Sequence, residues 1–284
     1  MGSIRVELNG ESGKVTPRVR LGRRLRRLRE RKGLSLRQLS EQVGGYSHSY
    51  LGRVELGEQL PSEALVDSLD EFFDSDGVLT ELLELAHESL IPEYSRIFLS
   101  KEPVAERIQV FTSSLIPGLL QTKEYAWELF RRSLPRDSED MRNERVAIRM
   151  RRQRILDRDG PPPYWAIMDE AALRRPAIDR SIMVGQLHHL VKVATRPGVV
   201  VQVLPFAAGM HPMLGGGVTL MTLKEGQTIA QVESFASEEG VNSARRVVDL
   251  TERFDLVRSM ALTADETLDV FRRYLEEYED ERDL

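Results

Sequence analysis

Ser47 is the residue type that starts a helix, its hydroxyl accepting a hydrogen bond from a backbone N–H in the first turn. On a helix begun there, Leu51 and Val54 fall on one side and His48, Ser49, Gly52 and Arg53 on the other. A hydroxyl and an imidazole in the first turn, followed one turn later by a guanidinium, are groups that read base edges in a DNA major groove. The arginine fork matches guanine O6 and N7. Arg37, Gln38 and Tyr46 lie at the ends of the preceding helix and in the turn. A duplex backbone would pass there, and such side chains fix register on phosphates without reading sequence. Tyr50 is expected to pack its ring beside Leu51 and is not counted among the base readers.

Five short helical patterns must position these residues. The first runs from about Leu21 to Lys32, with Leu21, Leu25 and Leu28 at helical spacing, and stops at Gly33. Ser35 is placed to cap the second by accepting from the Gln38 N–H, and Leu36, Leu39 and Val43 form its apolar stripe before Gly44-Gly45 makes the turn. The Ser47 helix is the third. Pro61 starts the fourth, with Leu65, Leu69 and Phe72 inward, and Asp76-Gly77 precedes a fifth carrying Val78, Leu82, Leu85 and Ala86. Gly10, Ser12, Gly13 and Pro17 break any period in residues 1–17, predicting a mobile tail. Charge supports the polyanion reading: residues 1–60 carry 13 Lys/Arg against 6 Asp/Glu, and the rest 27 against 39, although the whole chain is −5. On charge alone, Arg23, Arg24, Arg26, Arg27, Arg29 and Arg31 would equally be the solvated face of an amphipathic helix. The helix pair that follows favours DNA.

The order of Gly33, Leu39, Ser47, Leu51, Glu55, Gly57 and Pro61 resembles the Xre/Cro-like helix-turn-helix regulators over about 55 residues. In that family a polar residue, often Gln, opens the second helix; Leu36 stands there, which leaves the contact to Arg37 or Gln38. The resemblance also implies a structural pair between an arginine of the first helix and the glutamate ending the third, here Arg29 and Glu55.

At 284 residues and 41% hydrophobic the chain is long enough for two domains, and the expected organisation is a tail at 1–17, a helical domain at 18–91 and a second domain at 92–284. No run approaches a membrane span and no secretory segment opens the chain, so a cytoplasmic location is expected. With no cysteine, disulfides, Cys-ligated zinc and thiol catalysis are excluded. In the second domain helical periods recur at about 103–112, 122–134 and 138–158, then at Asp179–Thr195, Ser243–Ala261 and Asp265–Glu279. Tyr164–Met168, Val199–Leu204, Val218–Leu223 and Thr228–Val232 read as strands, the last two joined by a hairpin turn at Lys224–Gln227. The fold class expected is mainly α: a five-helix domain followed by an α+β domain with a small sheet.

The second half resembles the DUF5753, or Scr1-type antitoxin-like, domain. The resemblance rests on Ile116–Thr122 with Tyr125-Ala126, Arg149 with Arg152-Gln153, Met168–Glu170 with Ala172–Arg174, Met183 with Gln186-Leu187, and Val201–Pro205. It covers about Pro92 to Tyr274, departs at Val218 where the family more often has Phe, and implies regulation, often with a small DUF397-type partner protein, and no catalytic residues.

Signals for enzymatic chemistry are weak. His188 and His189 are adjacent and point about 100° apart on a helix, so they do not chelate one ion. Gly209, His211 and Gly215–Gly217 make a loop without the context of a phosphate cradle. Asp169-Glu170 lacks a second ligand at metal spacing, and Asp169 is read as a helix N-cap. The acidic run Glu276–Glu281 is read as a solvated helix end, with the alternative that it lies over the basic first helix. The expected function is therefore sequence-specific binding of double-stranded DNA by a homodimer, with no enzyme activity, cofactor or metal. The second domain would assemble the dimer and bind a partner protein or small-molecule effector. The alternative is an antitoxin-like regulator titrated by a DUF397-type protein.

Overall fold

In a computed structural model, residues 16–280 are described except 92, 178, 235, 236 and 242. The tail expected at 1–17 lies outside the described residues as far as 15. The chain divides between Ile91 and Pro92 into two compact units.

The first unit is all helical. Its α1 spans Pro17–Arg31, starting earlier than the apolar spacing suggests: Thr16 Oγ1 accepts from the Val19 N–H at 3.4 Å, and Pro17 takes the first helical position, where it needs no donor. In α2 (Leu36–Val43), Ser35 Oγ accepts from the Gln38 N–H at 3.2 Å while Gln38 Oε1 accepts from the Ser35 N–H at 2.9 Å, a closed capping box. Ser47 caps α3 (His48–Leu56) at 3.1 Å, and Gly57 ends it with φ +73°. Ser62, not Pro61, caps α4 (Glu63–Phe73); α5 spans Val78–Ser89.

Leu21, Leu25, Leu39, Leu51, Val54, Leu65 and Leu69 form the core with Phe73, Leu79, Leu83 and Ala86. Two expectations were one residue out of phase. Phe73 is buried and Phe72 only half-buried, its ring instead lying 4.3 Å from Lys32 Nζ. On α5, Leu79 and Leu83 face inward while Val78 and Leu82 are intermediate and Leu85 is exposed. Asp70 ties the start of this helix to α4. From α4 its carboxylate accepts from the Leu79 N–H at 3.0 Å and from the Thr80 N–H and hydroxyl at 2.9 and 2.8 Å, with Ser75 Oγ as a further donor. It thus caps α5 from outside, since Gly77 has no side chain to do so.

Burial opposes the charge on Asp70, but the hydrogen bonds from Ser75, Leu79 and Thr80 outweigh it and hold its pKa below the usual carboxylate value. A lowered folded pKa means that this stabilisation is present above the unfolded value of about 3.9 and is lost as pH falls through the folded one. Asp70→Asn should therefore lower the stability of the first unit by about 2 kcal/mol at neutral pH. The deficit should shrink toward zero as pH falls below about 4, in denaturant titrations run across that range.

The second unit has a six-stranded mixed sheet of order β3-β2-β1-β4-β5-β6, formed by β1 (Arg107–Thr112), β2 (Tyr164–Asp169), β3 (Val199–Leu204), β4 (Gly217–Thr222), β5 (Thr228–Ser234) and β6 (Ser237–Val241). Strands β1, β2 and β3 are mutually parallel, and β4, β5 and β6 continue antiparallel from β1. The helices are α6 (Glu93–Leu99), α7 (Lys123–Ser133), α8 (Glu139–Gln153), α9 (Ala171–Arg174), α10 (Arg180–Ala194), α11 (Ala244–Met260) and α12 (Ala264–Asp280). The turn at Lys224–Gln227 joins β4 to β5, with Glu225 and Gly226 at φ +71° and +80°.

Both faces of the sheet are covered. Ile108, Val110, Tyr164, Ala166, Met168, Val201 and Val203 pack with Met183, Leu187 and Leu190 of α10 and Phe271 and Tyr274 of α12. On the opposite face Phe111, Ile167, Leu204, Val218 and Leu220 pack with Val247, Phe254 and Val257 of α11. The helix expected at 103–112 is thus corrected to a 3-10 turn at 102–104 followed by β1, at the centre of the sheet. Val104, Ala105, Ile108 and Phe111 happen to have helical spacing, but Ile108 and Phe111 end on opposite faces.

Candidate nucleic-acid interface

Helix α3 is held from behind. Leu51 and Val54 are buried, and Glu55 receives a two-pronged grip from α1: Arg29 Nε reaches Oε1 at 2.6 Å and Nη2 reaches Oε2 at 2.8 Å. Arg29 Nη1 also donates to the Leu34 carbonyl at 2.7 Å, so one guanidinium joins α1, the loop before α2, and α3. Gly22 sets how closely the two helices approach: a Cβ there would lie 2.4 Å from the Val54 carbonyl oxygen and 2.6 Å from that of Glu55. Gly22 bears no chemistry of its own and is not among the residues that the sequence marks for the interface. The signal was there, a glycine inside a run of good helix formers, which usually has a packing reason.

His48, Ser49 and Arg53 all lie exposed, on the side of α3 away from Leu51 and Val54. Gly52 lies between them against Leu36 of α2, with room for a side chain: a Cβ there would meet Leu36 Cδ1 at 3.5 Å, an ordinary contact. Leu36 packs against the core at the α2–α3 corner instead of making a polar contact. Arg37 is open to solvent, with 85% of its side chain exposed and only a 4.0 Å approach to Glu41. Gln38 has its carbonyl oxygen in the capping box, which leaves its amide N–H groups to face outward.

Tyr46 is less available. Its ring stacks on Tyr50 with centroids 6.0 Å apart, and its hydroxyl lies 3.4 Å from Ser62 Oγ. Tyr50 is structural, donating to the Leu60 carbonyl at 3.3 Å and accepting from the Ser62 N–H at 3.2 Å. The tyrosine pair thus braces the turn and the start of α4 against α3. Arg20, Arg23, Arg26, Arg27 and Arg31 are exposed along α1, with Arg26 paired to Glu30 at 2.7 Å. A helix whose first turn presents polar side chains, flanked by the capped first turn of α2 with Arg37 exposed on it, can meet bases and phosphates together.

Two family models match the chain: one described as a helix-turn-helix domain, over residues 20–83, and one described as a domain of unknown function (DUF5753), over residues 95–273. The chain belongs to the DUF5753 family. Neither curated proteins nor solved structures gave a match. With the helix-turn-helix match and the α2–α3 geometry, the molecule is a DNA-binding regulator. Among the described residues no helix is long and apolar enough to cross a membrane.

Several of the residues that carry the DUF5753 resemblance form one hydrogen-bonded clamp. Gln186, fully buried on α10, donates to the Leu120 carbonyl and accepts from the Thr122 N–H, both at 2.7 Å. Gln121 donates to the Ile116 carbonyl and accepts from Arg149 Nη1, also at 2.7 Å, while Gln153 donates to the Gly118 and Gln121 carbonyls. An irregular segment buried in the DUF5753 unit needs such partners for its backbone. Thr122 also caps α7.

At the ends of β2 and β3, Asp169 Oδ1 accepts from the Ala171 N–H at 2.8 Å, close to the capping role expected, and Oδ2 lies 3.4 Å from His211 Nε2. His211, expected in an open loop, is buried against Phe111; its Nδ1 accepts from the Met213 N–H at 3.3 Å. Glu170 accepts from the Phe206 N–H at 2.8 Å and from the Tyr274 hydroxyl at 2.6 Å. Burial and then this bond to Glu170 push the Tyr274 pKa up to about 12. As far as 280 the acidic run is the solvated helix end expected: it forms the last turns of α12 with Glu276, Glu277, Glu279 and Asp280 exposed, while Tyr278 is buried and donates to the Leu173 carbonyl at 3.0 Å. Glu281 lies outside the described residues. Among the described residues no group of three His, Cys, Asp or Glu side chains is placed to hold a metal ion.

Proposed function

We propose that the chain is a sequence-specific transcriptional regulator that works as a homodimer, its DUF5753 unit serving assembly and recognition of a partner protein or effector, with no catalytic turnover. The observation that carries sequence specificity is the exposed set His48, Ser49 and Arg53 on a helix locked from behind by Arg29 and Glu55. His48, Ser49 and Arg53 read bases; Arg37 and Gln38 bind the backbone, and Tyr46 contributes by bracing the turn.

Arg53→Ala should lose about 1–3 kcal/mol at its operator and flatten the preference among operator variants. Arg37→Ala should weaken all duplexes alike and lower the slope of log affinity against log salt by about 0.9. A fluorescence-anisotropy titration against operator and scrambled DNA separates the two. Full retention of operator preference by Arg53→Ala would remove it from the base readers.

Homodimerisation follows from the small footprint of one helix-turn-helix, which needs a second half-site about 34 Å away. Of the seams available in the DUF5753 unit, the apolar sides of α10 and α12 are occupied by intrachain core, whereas α11 exposes Val248 and Leu256 about two turns apart. Sedimentation equilibrium should give a dimer for the full chain and a monomer for the Val248→Glu/Leu256→Glu double variant.

A further inference from the structure

The outer side of α1 is a row of guanidinium groups. Arg20, Arg23, Arg27 and Arg31 follow one another at spacings of three, four and four residues, one side of a helix, and all four are exposed. Among the described residues none of the four has a hydrogen-bond or ion-pair partner. Arg24 lies at the edge of the row, half-buried, its Nε buried and likewise without a partner. The one acid of the helix, Glu30, is held by Arg26 at 2.7 Å and approached by Arg29 at 3.9 Å. Glu81, Glu84 and Glu88 are exposed on α5, which packs along α1, but do not pair with the row. Like charges at such spacing repel along a helix, and with no acid in its first turn α1 gains nothing from its dipole. The row therefore works against the fold that carries it.

It also faces away from the base-reading helix. Gly22 and Arg29 are positions of α1 that meet α3, and at 3.6 residues per turn the four arginines lie about 110° to 170° around the helix from them. A duplex seated on α3 does not reach the row. From residue 20 to residue 31 it is about 16 Å long, a length over which one strand of a duplex presents about five phosphates. No large apolar side chain of α1 is exposed, so the row lacks the apolar and aromatic anchors on which a protein interface centres. We propose that Arg20, Arg23, Arg27 and Arg31 bind the phosphate backbone of a second DNA duplex without regard to sequence, so that one N-terminal unit joins two DNA segments. The second site rests on the reading of α3 as the operator-facing helix, but the two sites titrate separately.

Sedimentation of the full chain at about 20 mM salt with a fluorescent duplex of arbitrary sequence, about 12 base pairs or little more than one turn, counts duplexes per chain. The parent should bind two. The weaker step should fall with salt at a log–log slope of about −3.6, that of four neutralised phosphates. The Arg20→Gln/Arg23→Gln/Arg27→Gln/Arg31→Gln variant should bind one duplex per chain with its stronger step unchanged, and melt no lower than the parent because the repulsion is gone. Lysine at the same four positions, which keeps the charge, should restore the second duplex. One duplex per chain for the parent overturns the proposal and leaves the row to solvent or to an acidic protein. A second duplex that the Gln variant still binds overturns it too, as does a weakened stronger step, which would place the row on the duplex that α3 reads. Arg37→Ala/Arg53→Ala should weaken the stronger step alone. If that variant leaves both steps unaltered, the α3 reading fails while the second site stands.

Discussion

Gly22→Ala should lower the melting temperature of the N-terminal unit by roughly 10–20 °C and abolish operator binding at temperatures where the parent binds. The added Cβ would sit 2.4 and 2.6 Å from two backbone carbonyl oxygens of α3, which cannot rotate aside as a flexible side chain would. Either α1 retreats, breaking the two Arg29–Glu55 hydrogen bonds of 2.6 and 2.8 Å, or α3 tilts and carries His48, Ser49 and Arg53 with it. An overpacked site of this kind costs about 3 kcal/mol, a large part of the stability of so small a unit. Gly33→Ala is the control, since its φ of +69° is strained for alanine but nothing lies within 4 Å of the new Cβ. It should cost about 1 kcal/mol. Calorimetric melts of the two variants that came out equal would show that close helix approach is not what Gly22 provides.

Glu102→Ala should destabilise the DUF5753 unit by about 3 kcal/mol in urea unfolding. Glu102 is buried and takes both prongs of Arg152, at 2.8 and 2.9 Å, beside Tyr164, whose hydroxyl is kept protonated by burial and by the Glu102 charge. Removing the carboxylate leaves a guanidinium with a quarter of its side chain exposed and without its two-pronged partner, the charge of Glu233 still acting on it. The double replacement Glu102→Leu/Arg152→Met should recover most of the loss, because an apolar pair of similar volume escapes the desolvation cost that the ion pair bears. A double variant as unstable as Glu102→Ala alone would mean that the pair orders the chain between α6 and β1 instead of merely neutralising charge.

Much of this molecule was determined by short-range chemistry and was legible without coordinates. Ser35 and Ser47 cap the helices they precede because a hydroxyl beside an apolar period has the local N–H as its nearest donor. The outward set on α3 follows from the helical repeat once Leu51 and Val54 are placed inside. Val199–Leu204 is a strand on its β-branched composition alone.

Tertiary structure decided what depends on partners far along the chain. Strand β1 carries an apolar spacing that serves a helix equally well, and only its pairing with β2 on one side and β4 on the other selects the extended form. Two local periods on α5 compete, 78/82/85 and 79/83/86, and packing against the first unit's core selects the second. His211 and Asp169 lie more than forty residues apart in sequence and within 3.4 Å in space. Helix α12 likewise returns to pack on α10, burying Phe271 and Tyr274 in one core with Met183 and Leu187. Local hydrogen bonds and periodicities are written in neighbouring residues, whereas the choice between two locally acceptable backbones depends on which distant elements become buried together.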